Sequence, residues 1–182
     1  DDNTTRRLFQ NGNSSEQMVA IVSSTKRGDG KTYRIPNEDD LHVYERVQKN
    51  LISKRDNLKH EWGVDPVPDE EIPLMSGVFN VPIYGMKTWG DLFNSRQKYT
   101  LITFASLVRK ANDLIQEEYG DANFAKAVTT YLSIDFNRLT DKCANLVVYN
   151  NVAEKIEHVF GRQALPMVWD YVELNPFTDV GW

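Results

Sequence analysis

Between residues 63 and 88 the chain carries Pro66, Pro68, Pro73 and Pro82 together with Gly63, Gly77 and Gly85. Proline removes a backbone donor and clashes with the preceding turn, and glycine is entropically costly inside a helix. No helix survives that density of breakers. A structureless stretch of about 26 residues is uncommon in a compact domain, so this one either lies over the surface or carries a task. Whatever it does, it splits the chain into two helix-forming parts.

Before it, Asn37 is a plausible N-cap, with Glu38, Asp39 and Asp40 placing acid where the helix dipole favours it. Leu41, Tyr44, Val47, Leu51, Leu58 and Trp62 recur at helical spacing and predict a helix over 38–60. After it, a helix begins near Asn94 with the stripe Leu101, Phe104, Val108, Ala111 and Ile115, and stops at Gly120. Asp121 caps the next helix, whose stripe is Phe124, Val128, Tyr131, Leu132 and Leu139. So short a joint predicts antiparallel neighbours packed face to face. Two more short helices are expected, one from Asn151 through Phe160 and one across Met167–Val172 behind Leu165-Pro166.

The first 17 residues are polar, with Asn-Gly and Asn-Ser-Ser, and predict a loose, flexible start. Met18–Val22 and Thr32–Ile35 are β-prone runs flanking Asp29-Gly30, the pattern of an antiparallel hairpin. The expected organisation is therefore a flexible segment 1–17, a hairpin 18–36, a helix 37–62, a Pro/Gly-rich connection 63–93 and a helical domain 94–182. The fold class is mainly α, in the α+β sense, with a small N-terminal β-hairpin.

Composition narrows the function. The 182 residues include 41% hydrophobic and 26% charged positions, and no run approaches the roughly 18 apolar residues that span a bilayer. A single Cys143 and no signal-peptide pattern exclude a disulfide framework and make an intracellular, cytoplasmic protein the default. The absence of an initiator Met points to a piece of something larger. Net charge is −5, yet residues 1–60 carry 11 Lys and Arg against 9 Asp and Glu, and the rest carries 10 against 17. Non-specific DNA binding rests on cations that neutralise phosphates, so a chain this acidic is a poor autonomous DNA binder.

Several motifs resolve to ordinary readings. Gly28-Asp29-Gly30-Lys31-Thr32 resembles the end of a phosphate loop, but Thr25 stands where the first Gly belongs and Tyr33-Arg34-Ile35-Pro36 offers no helix N-terminus. His42, His60, His158 and Cys143 are scattered away from any metal-ligand spacing. Nothing supports a Ser-His-Asp or Cys-His site, and Cys143 reads as a small buried hydrophobe. Asn175-Pro176-Phe177 lacks one Pro of the loop that amino-methyltransferases use to hold a target amine, and reads as a helix terminator with a packed aromatic ring.

Two segments are denser than ordinary core. Tyr84–Gln97 and Phe160–Tyr171 combine glycines, aromatics and Arg, Asn and Gln groups suited to phosphate or base-edge contacts. The alternative is that Arg96 and Arg162 pair with Asp91 and Asp170 while Trp89 and Trp169 fill the core.

These segments carry a resemblance. Tyr-Gly-Met-x-x-Trp-Gly-Asp-Leu-Phe-Asn-x-Arg-Gln at 84–97 and Phe-Gly-Arg-Gln-Ala-Leu-Pro-Met-Val-Trp-Asp-Tyr-x-Glu-x-Asn-Pro-Phe at 160–177 resemble the middle of the large adenine-specific DNA methylases with an N-terminal domain of unknown function. Tyr33–Pro36 with Glu38–Leu41, and Thr130–Leu132 with Asp135 and Arg138-Leu139, are similar to the same family. The likeness runs from about Met18 to Phe177; Ser95 replaces its usual Pro, and 143–150 diverge.

The resemblance implies that the S-adenosylmethionine loop lies before this region and the Asp-Pro-Pro-Tyr catalytic loop after it. The chain would then be the insert between them, with no catalytic residue, metal or cofactor of its own. Its parent would use S-adenosylmethionine to methylate a flipped adenine at N6, and relatives beside phage-defence genes point to a defence role. Asn94, Arg96, Gln97, Arg162, Gln163 and Trp169 are the residues expected at a DNA or interdomain contact. The expected partners are DNA, through the parent, and the remaining methyltransferase domains, with no membrane. The rival expectation is a structural or protein-interaction module that DNA never touches.

Overall fold

The computed structural model describes residues 2–24, 30–75 and 77–178. They form a mainly α protein with some β: α1 (Asp2–Gln10), β1 (Ile21–Ser24), β2 (Lys31–Arg34), α2 (Glu38–Trp62), α3 (Ser95–Tyr119), α4 (Ala122–Asp141), β3 (Tyr149–Asn150) and β4 (Lys155–Ile156). Strands β1 and β2 pair antiparallel from Ile21–Arg34 to Ser24–Lys31. Asp29, half of the expected Asp-Gly turn, and the first residues of the Gly28–Thr32 motif lie outside the described residues.

Each long helix starts where a side chain replaces a missing backbone acceptor. Asn37 and Asp40 form a capping box on α2, and Arg34 grips the Asp40 carboxylate through two contacts of 2.6 and 2.9 Å. The hairpin is thereby tied to the helix that follows it. Gly63, at φ 70°, ends α2 in the left-handed region that a side chain resists. Asn94 and Gln97 repeat the capping box on α3, and Asp121 accepts from the Asn123 and Phe124 N–H groups of α4.

Helix α3 lies between α2 and α4. Leu58, Val67 and Ile102 close the α2 side, where the Arg109 guanidinium sits 4.3 Å over the Trp62 ring. Leu101, Phe104, Leu139, Cys143 and Leu174 fill the α4 side. The expected α4 stripe is only partly buried: Leu139 is enclosed, but Tyr131 is 76% exposed and Phe124 is exposed with it. A helix packed on one neighbour covers a narrower arc than its amphipathic pattern allows.

The largest core cluster contains no α-helical residue. Ile72, Val81, Leu92, Ala144, Leu146, Val147, Val159 and Leu165 come from the Pro/Gly-rich connection and from the segment after α4. Irregular backbone can be buried only if its polar groups pair. Here they pair with each other: Ile72 N–H with Lys87 C=O at 2.8 Å, Trp89 with Glu70 at 3.0 Å, Asn145 with Leu92 at 2.8 Å and Val172 with Val147 at 3.1 Å. The connection is thus core material, and it includes two short 3-10 turns, Val81–Tyr84 and Trp89–Leu92.

Three expectations are corrected. Residues 2–10 of the segment expected to be loose form α1, because Phe9 gives it an apolar anchor against Tyr84 and Trp169. Its Asn-Gly is the helix stop, with Gly12 at φ 71° donating to Phe9 C=O. The helix expected from Asn151 is instead hairpin β3–β4, since Asn150 Oδ1 accepts from Val152 and Ala153 N–H and closes a turn. The helix expected over Met167–Val172 does not form: those residues have no regular secondary structure and bend at 169–170, and Leu165, held out of the α region by Pro166, pairs with Phe79. Residues 94–178 are therefore two long helices followed by turns, the β3–β4 hairpin and irregular chain, and the Asn175 turn ends no helix.

Candidate functional site

The two dense motif segments meet. Leu165 N–H donates to Val78 C=O at 2.8 Å and Asn80 N–H to Leu165 C=O at 3.3 Å, stapling the second segment to the chain just before the first. The Tyr84 and Trp169 rings make an edge contact at 5.3 Å, and Phe9 of α1 meets Trp169 at the same distance. Further along, side chains take over the same role.

Asn94 is at the centre of that second junction. Its oxygen caps α3, and its amide nitrogen donates to the Tyr171 hydroxyl at 2.8 Å and to the Glu173 carboxylate. Arg96 Nε contacts the other Glu173 oxygen at 3.1 Å. Gln97 is 1% exposed, its oxygen accepting from Asn94 N–H and its nitrogen left without a partner among the described residues. The Arg96–Asp91 pair of the alternative reading does not form. The Asp91 carboxylate instead accepts from Lys87 and Thr88 N–H at 2.9 and 2.8 Å, a cap that holds it one turn upstream.

A second carboxylate joins from the N-terminal arm. Glu16 accepts from the Asn145 amide at 3.1 Å and from the Tyr44 hydroxyl at 3.3 Å. Burial pushes Tyr44 up to about 12, reinforced by the Glu16 charge, and burial likewise raises Tyr171. Both stay protonated donors at neutral pH. Burial also raises the nearby Cys143 thiol to about 12, so it is no nucleophile. The arrangement holds and orients its members through neutral tyrosine and amide donors on two carboxylates.

The other predicted residues lie apart from it. Arg162 and Gln163 are exposed on the bend at 160–163, where Arg162 has no ion-pair partner among the described residues. Trp169 is 57% exposed rather than core, and with Arg6, Leu74, Asn80, Tyr84 and Met167 it lines an open groove of about 600 Å³. So the six candidates divide: Asn94, Arg96 and Gln97 face inward, while Arg162, Gln163 and Trp169 face outward. Phe177, expected to be packed, is 85% exposed beside the Phe104 ring.

Sequence reasoning did not single out Glu16, Tyr44, Asn145 and Glu173. Glu173 stood inside the second motif and was readable as a partner for Arg96. Glu16 sits in a polar stretch with no pattern to mark it. Among the described residues no three His, Cys, Asp or Glu side chains gather as a metal site, and no helix is long and apolar enough to cross a membrane. No family model, curated protein or solved structure matches the chain.

Proposed function

We propose that this chain is the non-catalytic insert of a larger S-adenosylmethionine-dependent DNA adenine N6-methyltransferase, and that it braces the enzyme's geometry rather than reading DNA through residues 94–97. One observation carries the reading: the residues of the two motifs are spent on each other. Asn94 and Arg96 are committed to Tyr171 and Glu173, and the Tyr84 ring packs on Trp169. The Glu173 carboxylate beside Arg96 offsets its charge and so weakens its pull on a phosphate. The net charge of −5 favours the same reading.

Arg162, Gln163 and Trp169 keep a second reading in play, because they are exposed and of types that contact phosphate and stack on bases. On that reading the outward edge of the second motif touches DNA while the first motif only supports it.

Two measurements on the isolated chain test these readings. Titration calorimetry with S-adenosylmethionine is expected to show no heat of binding; saturable binding overturns the idea that the methyl-transfer machinery lies outside the chain. Fluorescence anisotropy with an adenine-containing duplex at low salt is expected to stay flat for the native chain. Binding that weakens with salt and is lost in Arg162→Ala, but not in Arg96→Ala, replaces bracing with the second reading.

A further inference from the structure

One side of the α3–α4 hairpin is apolar and uncovered. Leu107 and Leu114 of α3 and Phe124 and Tyr131 of α4 are exposed there, with exposed Ile134 at the outer edge. The Asn112–Thr129 hydrogen bond, 3.0 Å, marks the sides on which the two helices face each other. Val108 and Ile115 share that side of α3, and Ala125 and Leu132 that side of α4, by their spacing of three and four residues. Leu107, Leu114, Phe124 and Tyr131 each come one residue before these, a rotation of about 100°. In antiparallel helices the same rotation leads to the same side of the pair. Arg109, which meets Trp62 of α2, comes one residue after Val108, so α2 covers the opposite side. Glu173 at Arg96 and Phe177 beside Phe104 reach only the first turns of α3.

The pattern on this side maps onto itself when reversed. The Asn112–Thr129 bond sets Tyr131 level with Lys110, near the midpoint of Leu107 and Leu114. Phe124 and Arg138 stand two helical turns to either side of Tyr131. A two-fold axis across the helices at that midpoint lays Leu107 on Leu114 of a second copy and Tyr131 on Tyr131. It also sets Phe124 against the Arg138 guanidinium, an attractive pairing of cation and ring. The same reversal brings the Arg138 end of one copy to the Glu117-Glu118 end of the other. Asp135, one turn before Arg138, offsets part of that attraction, so the leucines and rings fix the register. A two-fold along the helices instead sets Phe124 over Glu117, where ring face and carboxylate repel.

We propose that two copies of this chain associate through this side of the hairpin as an antiparallel four-helix bundle, α3 on α3 and α4 on α4, with Tyr131 at the two-fold. A self-complementary face is what such an isologous pair requires. Each of the four helices then has antiparallel neighbours, the arrangement that helical hairpins adopt in bundles. The proposal does not depend on the methyltransferase reading.

Sedimentation equilibrium on the whole chain tests it. The mass is expected to rise with concentration from 21.0 kDa to twice that value. Leu114→Glu and Tyr131→Glu, each placing a charge in the contact, are expected to weaken association at least about tenfold. Circular dichroism checks that both variants fold; Tyr131, at 76% exposure, carries the test if Leu114→Glu does not. A monomer at all concentrations up to about 0.5 mM overturns the proposal, as does a dimer that a folded Tyr131→Glu leaves intact. Disulfide cross-linking reads the register, since the native Cys143 is buried. Tyr131→Cys is expected to link to itself, and Leu107→Cys to link when mixed with Leu114→Cys. Linking of Leu107→Cys to Ile134→Cys without self-linking of Tyr131→Cys overturns the reversed packing.

Discussion

The Asn94 amide donates a 2.8 Å hydrogen bond to the Tyr171 hydroxyl across 77 residues of chain, while its oxygen caps α3. One side chain thus performs a local and a long-range task. Asn94→Ala removes both, and is expected to cost roughly 2–4 kcal/mol, from a lost cap of about 1 kcal/mol and buried partners left unpaired. Asn94→Ser keeps the cap and is expected to recover about 1 kcal/mol of that. Urea midpoints at constant slope measure both. Equal losses in the two variants mean that the cap contributes nothing.

Gly90 is where the connection passes closest to itself. A Cβ there would lie 2.5 Å from Pro68 C=O and 2.8 Å from Val67 Cγ1, and the Gly90 N–H already donates to that same carbonyl at 3.0 Å. The two backbones cannot part without breaking the bond. Gly90→Ala is expected to destabilise by about 1–3 kcal/mol, as overpacking does. Gly63→Ala, with open space but φ at 70°, is expected to cost only the left-handed penalty of roughly 1–2 kcal/mol. Thermal melts of the pair compare them, and a neutral Gly90→Ala removes the steric account.

The parts of this fold that follow local rules were legible from the sequence. Asn37, Asn94 and Asp121 cap helices, Gly63 and Gly120 end them, and the short joint at Gly120-Asp121 makes α3 and α4 neighbours. What failed was everything whose structure depends on distant partners. Residues 2–10 look loose until Trp169 and Tyr84 supply a surface for Phe9. Pro166 suits a helix start or an extended residue before it, and only the Phe79 backbone decides between them. Of the site, the second motif contained Tyr171 and Glu173 in plain view, but the partnership with Asn94 needs three dimensions. Glu16 left no trace in the pattern at all.

Asp65 gives the fold a pH dependence. Arg55 holds its carboxylate through contacts of 2.7 and 3.0 Å, with further hydrogen bonds from Val67 N–H and Lys59, and these lower it from 3.8 to about 2. A depressed carboxylate stabilises the fold while both folded and unfolded chains are ionised, and that contribution disappears as pH falls through the folded value. Stability should therefore hold above about pH 4 and decline toward about pH 2. Asp65→Asn is expected to be less stable at neutral pH and to flatten that decline. Urea midpoints across the range check it, and an unchanged acid slope in Asp65→Asn assigns the decline elsewhere, with Asp40, lowered to about 2 by Arg34, the next candidate.

Cys143 reports on the junction from inside. It is 2% exposed in the cluster that joins Leu101, Phe104, Leu139 and Leu174, and burial raises its thiol to about 12. Only the thiolate reacts readily, so both access and ionisation protect it in the folded chain. Labelling by a disulfide reagent at neutral pH is expected to be slow in the native protein and to speed up in parallel with unfolding by urea. Asn94→Ala should raise the native labelling rate, because loosening the hold on Tyr171 and Glu173 frees the segment that brings Leu174 over the thiol. If labelling of Asn94→Ala matches that of the native chain while its urea midpoint falls, the two motifs are joined through Leu165 and the Tyr84–Trp169 contact, and the Asn94 link is local to the start of α3.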